Sequence, residues 1–119
     1  MAWLVSDARV LASADVADDR SGRRRGLLGR ESIDGALVIE GCRWVHTIGM
    51  KFAIDVAYLD DSGTVVKIEH LKPHRVSAPV KAARTVVEAE CGAFERWGLS
   101  TGDQIEIRVS GGLEPPTAQ

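Results

Sequence analysis

A chain of 119 residues with 15 Lys and Arg against 17 Asp and Glu, formal charge −2, is long enough for one domain with one real core. That balance, with aromatics at 5%, excludes the basic, base-stacking surface expected of a nucleic-acid binder. No apolar run approaches the length of a membrane span, so neither nucleic acid nor a membrane is an expected partner.

The start, Met-Ala-Trp-Leu-Val-Ser-Asp, lacks a basic region followed by a long apolar core, and the expected location is the cytoplasm. There Cys42 and Cys91 would remain thiols; a disulfide between them stays open for an oxidising compartment. Arg9 to Ala12 is a weak strand signal. Asp18 to Leu28, rich in Arg20, Arg23, Arg24 and Arg25, reads as a short helix, with Asp15 or Asp18 to cap it and Gly29 to end it. Ala36 to Ile39 is a β-branched run. Phe52 to Leu59 is apolar on both faces except at Asp55, the pattern of a central strand packed on two sides. Asp60-Asp61-Ser62-Gly63 supplies turn chemistry, and Thr64 to Glu69 returns as the hairpin partner.

Thr85 to Ala89 is a further strand, and Phe94 to Trp97 predicts one helical turn before Gly98. Gln104 to Val109 alternates strictly, which predicts Ile105, Ile107 and Val109 facing inward. The domain expected from these signals covers residues 1–109, and the Gly/Pro-rich tail 110–119 is expected to be disordered. The predicted fold class is mainly β, a small single-domain sandwich or barrel with one or two short helices.

Site-forming residue types concentrate between Cys42 and Val56. Cys42, His46 and Met50 recur every fourth residue, which invites a soft-metal reading. Four residues of strand span roughly 13 Å, too far for two ligands of one ion, and the intervening residues are poor helix formers. No metal and no cofactor is therefore expected. His70 and His74 share a helical spacing, but Pro73 between them opposes the helix. Neither cysteine sits in a recognisable nucleophile motif. His46 reads as a ring packed on Trp44 or Ile48 with its nitrogens on backbone, or as a polar group at a pocket mouth. Met50 reads as a core gap-filler. Asp55 is the residue that demands a partner, because a bare carboxylate on a two-sided apolar strand is very costly. Its expected partners are loop N–H groups or an arginine such as Arg24 or Arg30; the alternative is a general base or ligand anchor.

Taken in order, Arg-Gly-Leu-Leu-Gly-Arg (25–30), Gly-Ala-Leu-Val-Ile (35–39) and His-Thr-Ile-Gly-Met-Lys-Phe-Ala-Ile-Asp-Val-Ala-Tyr-Leu-Asp (46–60) form a set with Val-Val-Glu-Ala-Glu-Cys-Gly (86–92) and Gly-Leu-Ser-Thr-Gly-Asp-Gln-Ile (98–105). The set resembles the DUF192 family of small bacterial and archaeal proteins over about residues 8–109. The resemblance implies a mainly β, sandwich-like barrel and carries no established molecular function. It places Arg25, Gly26, Leu27, Gly29 and Arg30 in the family's first block and Met50 and Asp55 in its second. Glu88 and Gly92 fall in the third, and Gly102 and Asp103 in the last.

The function expected from residues and resemblance together is a binding or interaction module. Its pocket, bordered by His46, Met50 and Asp55 with Arg25 or Arg30 nearby, would hold a small anionic or polar ligand. A hydrolase-like enzyme using Asp55 and His46 as an acid–base pair is the first alternative. A structural partner in a larger assembly, exposing an apolar patch around Trp3 or Trp97, is the second.

Overall fold

The structure, a computed structural model, describes residues 2–17 and 34–109. Among them lie seven strands, β1 (Ala2–Ser6), β2 (Arg9–Ala17), β3 (Ala36–Glu40), β4 (Ile54–Leu59), β5 (Val65–Leu71), β6 (Thr85–Glu90) and β7 (Glu106–Val109), with one short helix, α1 (Ala93–Trp97), between β6 and β7. All seven strands join one sheet in the order β5-β4-β6-β3-β2-β1-β7. Every pairing is antiparallel except β2 with β3, which are parallel. The mainly β single domain expected from the pattern is what forms.

The sheet curls until its two edges meet. Thr64, just ahead of β5, bridges to Gln104, just ahead of β7. The Val65 amide donates to the Asp103 carbonyl at 2.8 Å, and the Ile105 amide to the Gly63 carbonyl at 2.9 Å. Edge groups that would otherwise be unpaired are satisfied there, which gives the sheet its barrel-like closure. Gly63 makes the approach feasible: its φ is +85°, and a Cβ at this position would stand 2.6 Å from the Ile105 carbonyl oxygen.

Two cores follow from the two faces of β4, all six residues of which are buried. Ala57 and Leu59 point into the curled sheet with Leu4, Val38, Val65, Val87 and Phe94. Ile54, Val56 and Tyr58 point the other way, into a second cluster with Ile39, Cys42, Val45, Met50 and Val86. The outer cluster is roofed by the loops 41–53 and 72–84, which bond to each other. Across the roof the Thr47 amide donates to the Arg75 carbonyl, the Ser77 amide to the Val45 carbonyl and the Val80 amide to the Arg43 carbonyl. Thr47, completely buried, seals it: its hydroxyl donates to the Lys72 carbonyl at 2.6 Å and accepts from the Arg75 amide at 2.9 Å.

The strand pattern needs three corrections. β1 was not expected, because its apolar run does not alternate; it lies between β2 and β7 and buries Leu4 and Val5 as an interior strand does. β2 continues past Ala12 to Ala17 through weak β-formers, carried by pairing with β1 and β3 on either side. Val109, expected to face inward, is 80% exposed at the end of an edge strand, whereas Ile105 is buried as predicted. The helix expected over 18–28 and the tail 110–119 lie outside the described residues.

Candidate functional site

Strand register assembles the site. β4 lies between β5 and β6, and Asp55 on β4 stands directly opposite His70 on β5 and Ala89 on β6. Paired residues of an antiparallel ladder share a face, and residues two apart along a strand share it again. His70 and Cys91, two beyond Ala89, are thus delivered to the face of Asp55 by the sheet itself. The result is a compact cluster of three groups. His70 Nδ1 lies 3.2 Å from Asp55 Oδ1, and Cys91 Sγ lies 3.8 Å from His70 Nε2. Sulfur, nitrogen and carboxylate donors of the three all fall within 4.8 Å of one another.

Asp55 is anchored from behind. Its Oδ2 accepts the Gly92 amide at 3.0 Å and the Phe94 amide at 3.2 Å, N–H groups at the opening of α1 that precede any intrahelical acceptor. The helix is capped by Gly92, which has no side chain to do this, so a carboxylate from β4 caps it across the fold. The expectation that Asp55 would take loop backbone N–H groups is met at these two amides.

The three groups floor a groove of about 480 Å³ lined also by Ile68, Glu69, Phe94, Glu95 and Leu99. Asp55 is 8% exposed, whereas Cys91 is exposed and the His70 side chain is 45% exposed, so the cluster combines a buried carboxylate with an open imidazole and thiol. Two hollows of about 410 and 500 Å³ flank the turn at Asp7. They lack a comparable cluster: their cations, Arg108 and Arg9, are turned to Glu106 and to the Trp97 carbonyl.

The stretch from Cys42 to Val56 belongs mainly to the outer core. Cys42, Val45, Met50, Ile54 and Val56 are all buried in that cluster, and Met50 fills it as a core residue. Cys42 donates its S–H to the Trp44 carbonyl, and both cysteines are free, one buried and one exposed. His46 is in the roof, bridged to Val76; its ring stands 6.1 Å from that of Trp44, and its Nδ1 accepts the Ile48 amide at 3.3 Å. Met50 and Asp55 therefore lie on opposite sides of β4. The imidazole on the Asp55 carboxylate is that of His70. Arg25 and Arg30 lie outside the described residues.

Similarity to known proteins agrees with this architecture. The model of DUF192, described as an uncharacterized ACR, matches residues 3–107. The chain belongs to the DUF192 family. Among curated relatives of this DUF192 chain, a UPF0127 protein of Pyrococcus abyssi is 37% identical over 62 residues, 52% of this chain and 53% of its own length. A UPF0127 protein of Thermococcus sibiricus is 30% identical over 100 residues, 79% of this chain and 65% of its own. The chain thus spans about half the length of the first of these relatives. In fold, a solved structure from Novosphingobium aromaticivorans, of unknown function, superposes with TM-score 0.73 at 14% identity, covering 88% of this chain and 82% of that one. One from Sinorhizobium meliloti 1021, proposed to be a transcription regulator, gives 0.72 at 23% identity, covering 88% and 90%. At such identities the likeness concerns the fold alone.

His70 and Cys91 had no local signal in the DUF192 chain. In sequence, His70 has a spacing partner in His74, four residues on, and Cys91 lies in no nucleophile motif and has Cys42 as its one possible disulfide partner. What joins them is a cross-strand register, and the one pointer to it was the demand of Asp55 for a partner.

Proposed function

We propose that this DUF192 domain is a binding module whose ligand occupies the groove between β5 and α1, against Asp55, His70 and Cys91. One observation carries the reading: a nearly buried carboxylate, an imidazole and an exposed thiol converge within 4.8 Å of one another at the floor of a groove. Such convergence of a few polar groups with apolar walls, here Ile68, Phe94 and Leu99, is the usual make-up of a small-ligand site. The lining favours one sign of charge. Asp55 and Glu95 contribute carboxylates, and neither Lys nor Arg is among the described lining residues. The groove therefore suits a polar or cationic ligand better than an anionic one.

The test is an NMR titration of the full chain with fragment-sized primary amines and guanidines. Binding should shift the Cys91, Gly92 and Phe94 amides and the His70 ring, and both His70→Ala and Glu95→Lys should weaken it several-fold. Shifts confined to other surfaces, or undiminished binding in both variants, would refute the assignment.

A further inference from the structure

We infer that His70 Nε2 and Cys91 Sγ form an open two-ligand seat for a borderline-to-soft transition-metal ion, Zn(II) or Cu(I), with Asp55 orienting the imidazole. The inference rests on reading the groove as the binding site and names the class of ligand that its floor would take.

The geometry comes first. A tetrahedral ion with a thiolate at about 2.3 Å and an imidazole at about 2.0–2.1 Å holds those donors about 3.6 Å apart. Cys91 Sγ and His70 Nε2 stand 3.8 Å apart, so an ion enters with side-chain shifts of a few tenths of an ångström. The second contribution is from Asp55. Its Oδ1 sits on the other ring nitrogen at 3.2 Å, which favours the tautomer protonated at Nδ1 and leaves the Nε2 lone pair facing the thiol. This is the carboxylate–histidine–metal arrangement found around many bound ions. Asp55 Oδ2 holds the Gly92 and Phe94 amides and its Oδ1 faces the ring nitrogen, so the carboxylate is fixed beside the imidazole. It therefore acts on the ion through His70.

The third consideration is donor chemistry. Thiolate and imidazole suit Zn(II) or Cu(I), whereas Mg(II) and Ca(II) require oxygen ligands. Two protein donors leave the remaining positions of the ion open to water or to a donor brought by a partner. An exchangeable ion in an acidic groove follows, rather than a closed structural site.

The seat does not lie at Cys42, His46 and Met50, the set of metal-binding residue types that the sequence places at regular spacing. Those three are spread over the outer core and its roof, whereas His70 and Cys91 converge across strands.

The test is titration of the reduced full chain with Co(II) as a spectroscopic stand-in, followed by Zn(II) competition against a chromophoric chelator. One equivalent should bind with a thiolate-to-cobalt charge-transfer band in the near ultraviolet. Cys91→Ser should abolish the band, His70→Gln should weaken affinity at least tenfold, and Cys42→Ser should leave both unchanged. Cys91 is exposed and holds no core contact, so its serine variant tests the site without testing the fold. Asp55→Asn, if folded by circular dichroism, should weaken binding by about 10–100-fold. A band that persists in Cys91→Ser, or the absence of stoichiometric binding, would overturn the metal seat. If metal fails while amines still shift the His70 ring, the groove reading stands and the seat alone falls. If both fail, both fall.

Discussion

At Asp55, one carboxylate oxygen takes two helix-opening amides and the other takes an imidazole, so a single acidic residue ties β4 to α1 and to β5. A second buried polar side chain on the same strand, facing the other way, behaves differently. The Tyr58 hydroxyl donates to Glu69 Oε2 at 2.7 Å. Burial pushes the Tyr58 phenol well above its usual range; a hydrogen bond with Ser77 opposes the rise, and the Glu69 carboxylate adds to it. The sign for stability follows. Below the unfolded phenol's value near 10.0, both states are protonated and the native contribution is whole. Above it the unfolded chain releases its proton while the folded chain retains it, so stability falls as pH rises. Urea denaturation of the wild type should therefore show a midpoint that drops between pH 9 and pH 11. Tyr58→Phe should be less stable at pH 7 by about 1 kcal/mol, the net worth of the lost bond, with a shallower high-pH decline. Identical declines for the two proteins would contradict this account.

The loops 41–53 and 72–84 hold the outer core at the scale of elements. They contain few regular strand residues, yet they bond to each other and bury Cys42, Val45, Met50 and Ala83 beneath them. Thr47 is where the pairing is tightest, because its hydroxyl serves both the Lys72 carbonyl and the Arg75 amide inside the roof. Thr47→Val keeps the shape and removes the oxygen, leaving a donor and an acceptor unsatisfied. The expected cost is about 1–3 kcal/mol, read as a lower denaturation midpoint with faster amide exchange at Val45, Thr47 and Ser77. A cost below about 0.5 kcal/mol, the scatter of an ordinary surface change, would show that the clamp does not hold the roof. From sequence, this segment looked like a site because it collected Cys, Trp, His and Met. Residues of the same kinds serve equally to fill an irregular core under loops, and composition does not separate the two uses.

Closure of the sheet onto itself decides stability for the whole molecule. Gly63 and Gly41 both have positive φ, +85° and +70°, but a Cβ at Gly63 meets the Ile105 carbonyl oxygen at 2.6 Å while one at Gly41 meets nothing within 4 Å. Alanine at Gly41 should cost about 1 kcal/mol, the conformational penalty alone. Alanine at Gly63 should cost more, about 2–3 kcal/mol, because the seam between β5 and the approach to β7 must also open. Equal losses in the two variants, measured by thermal or urea unfolding, would mean that the seam contributes little. By itself the sequence determined the fold class, the two-sided burial of β4, the β4–β5 hairpin, the turn of helix before Gly98 and the need of Asp55 for partners. Each of these is set by local periodicity, turn chemistry or the cost of burying a charge. Only the tertiary structure decided that β1 is an interior strand, that the Cys42–Val56 stretch is largely a core with its roof, and that His70 and Cys91 meet at Asp55. Those outcomes depend on which strands become neighbours and in what register, and pairing between segments distant in the chain leaves no periodic trace in either one.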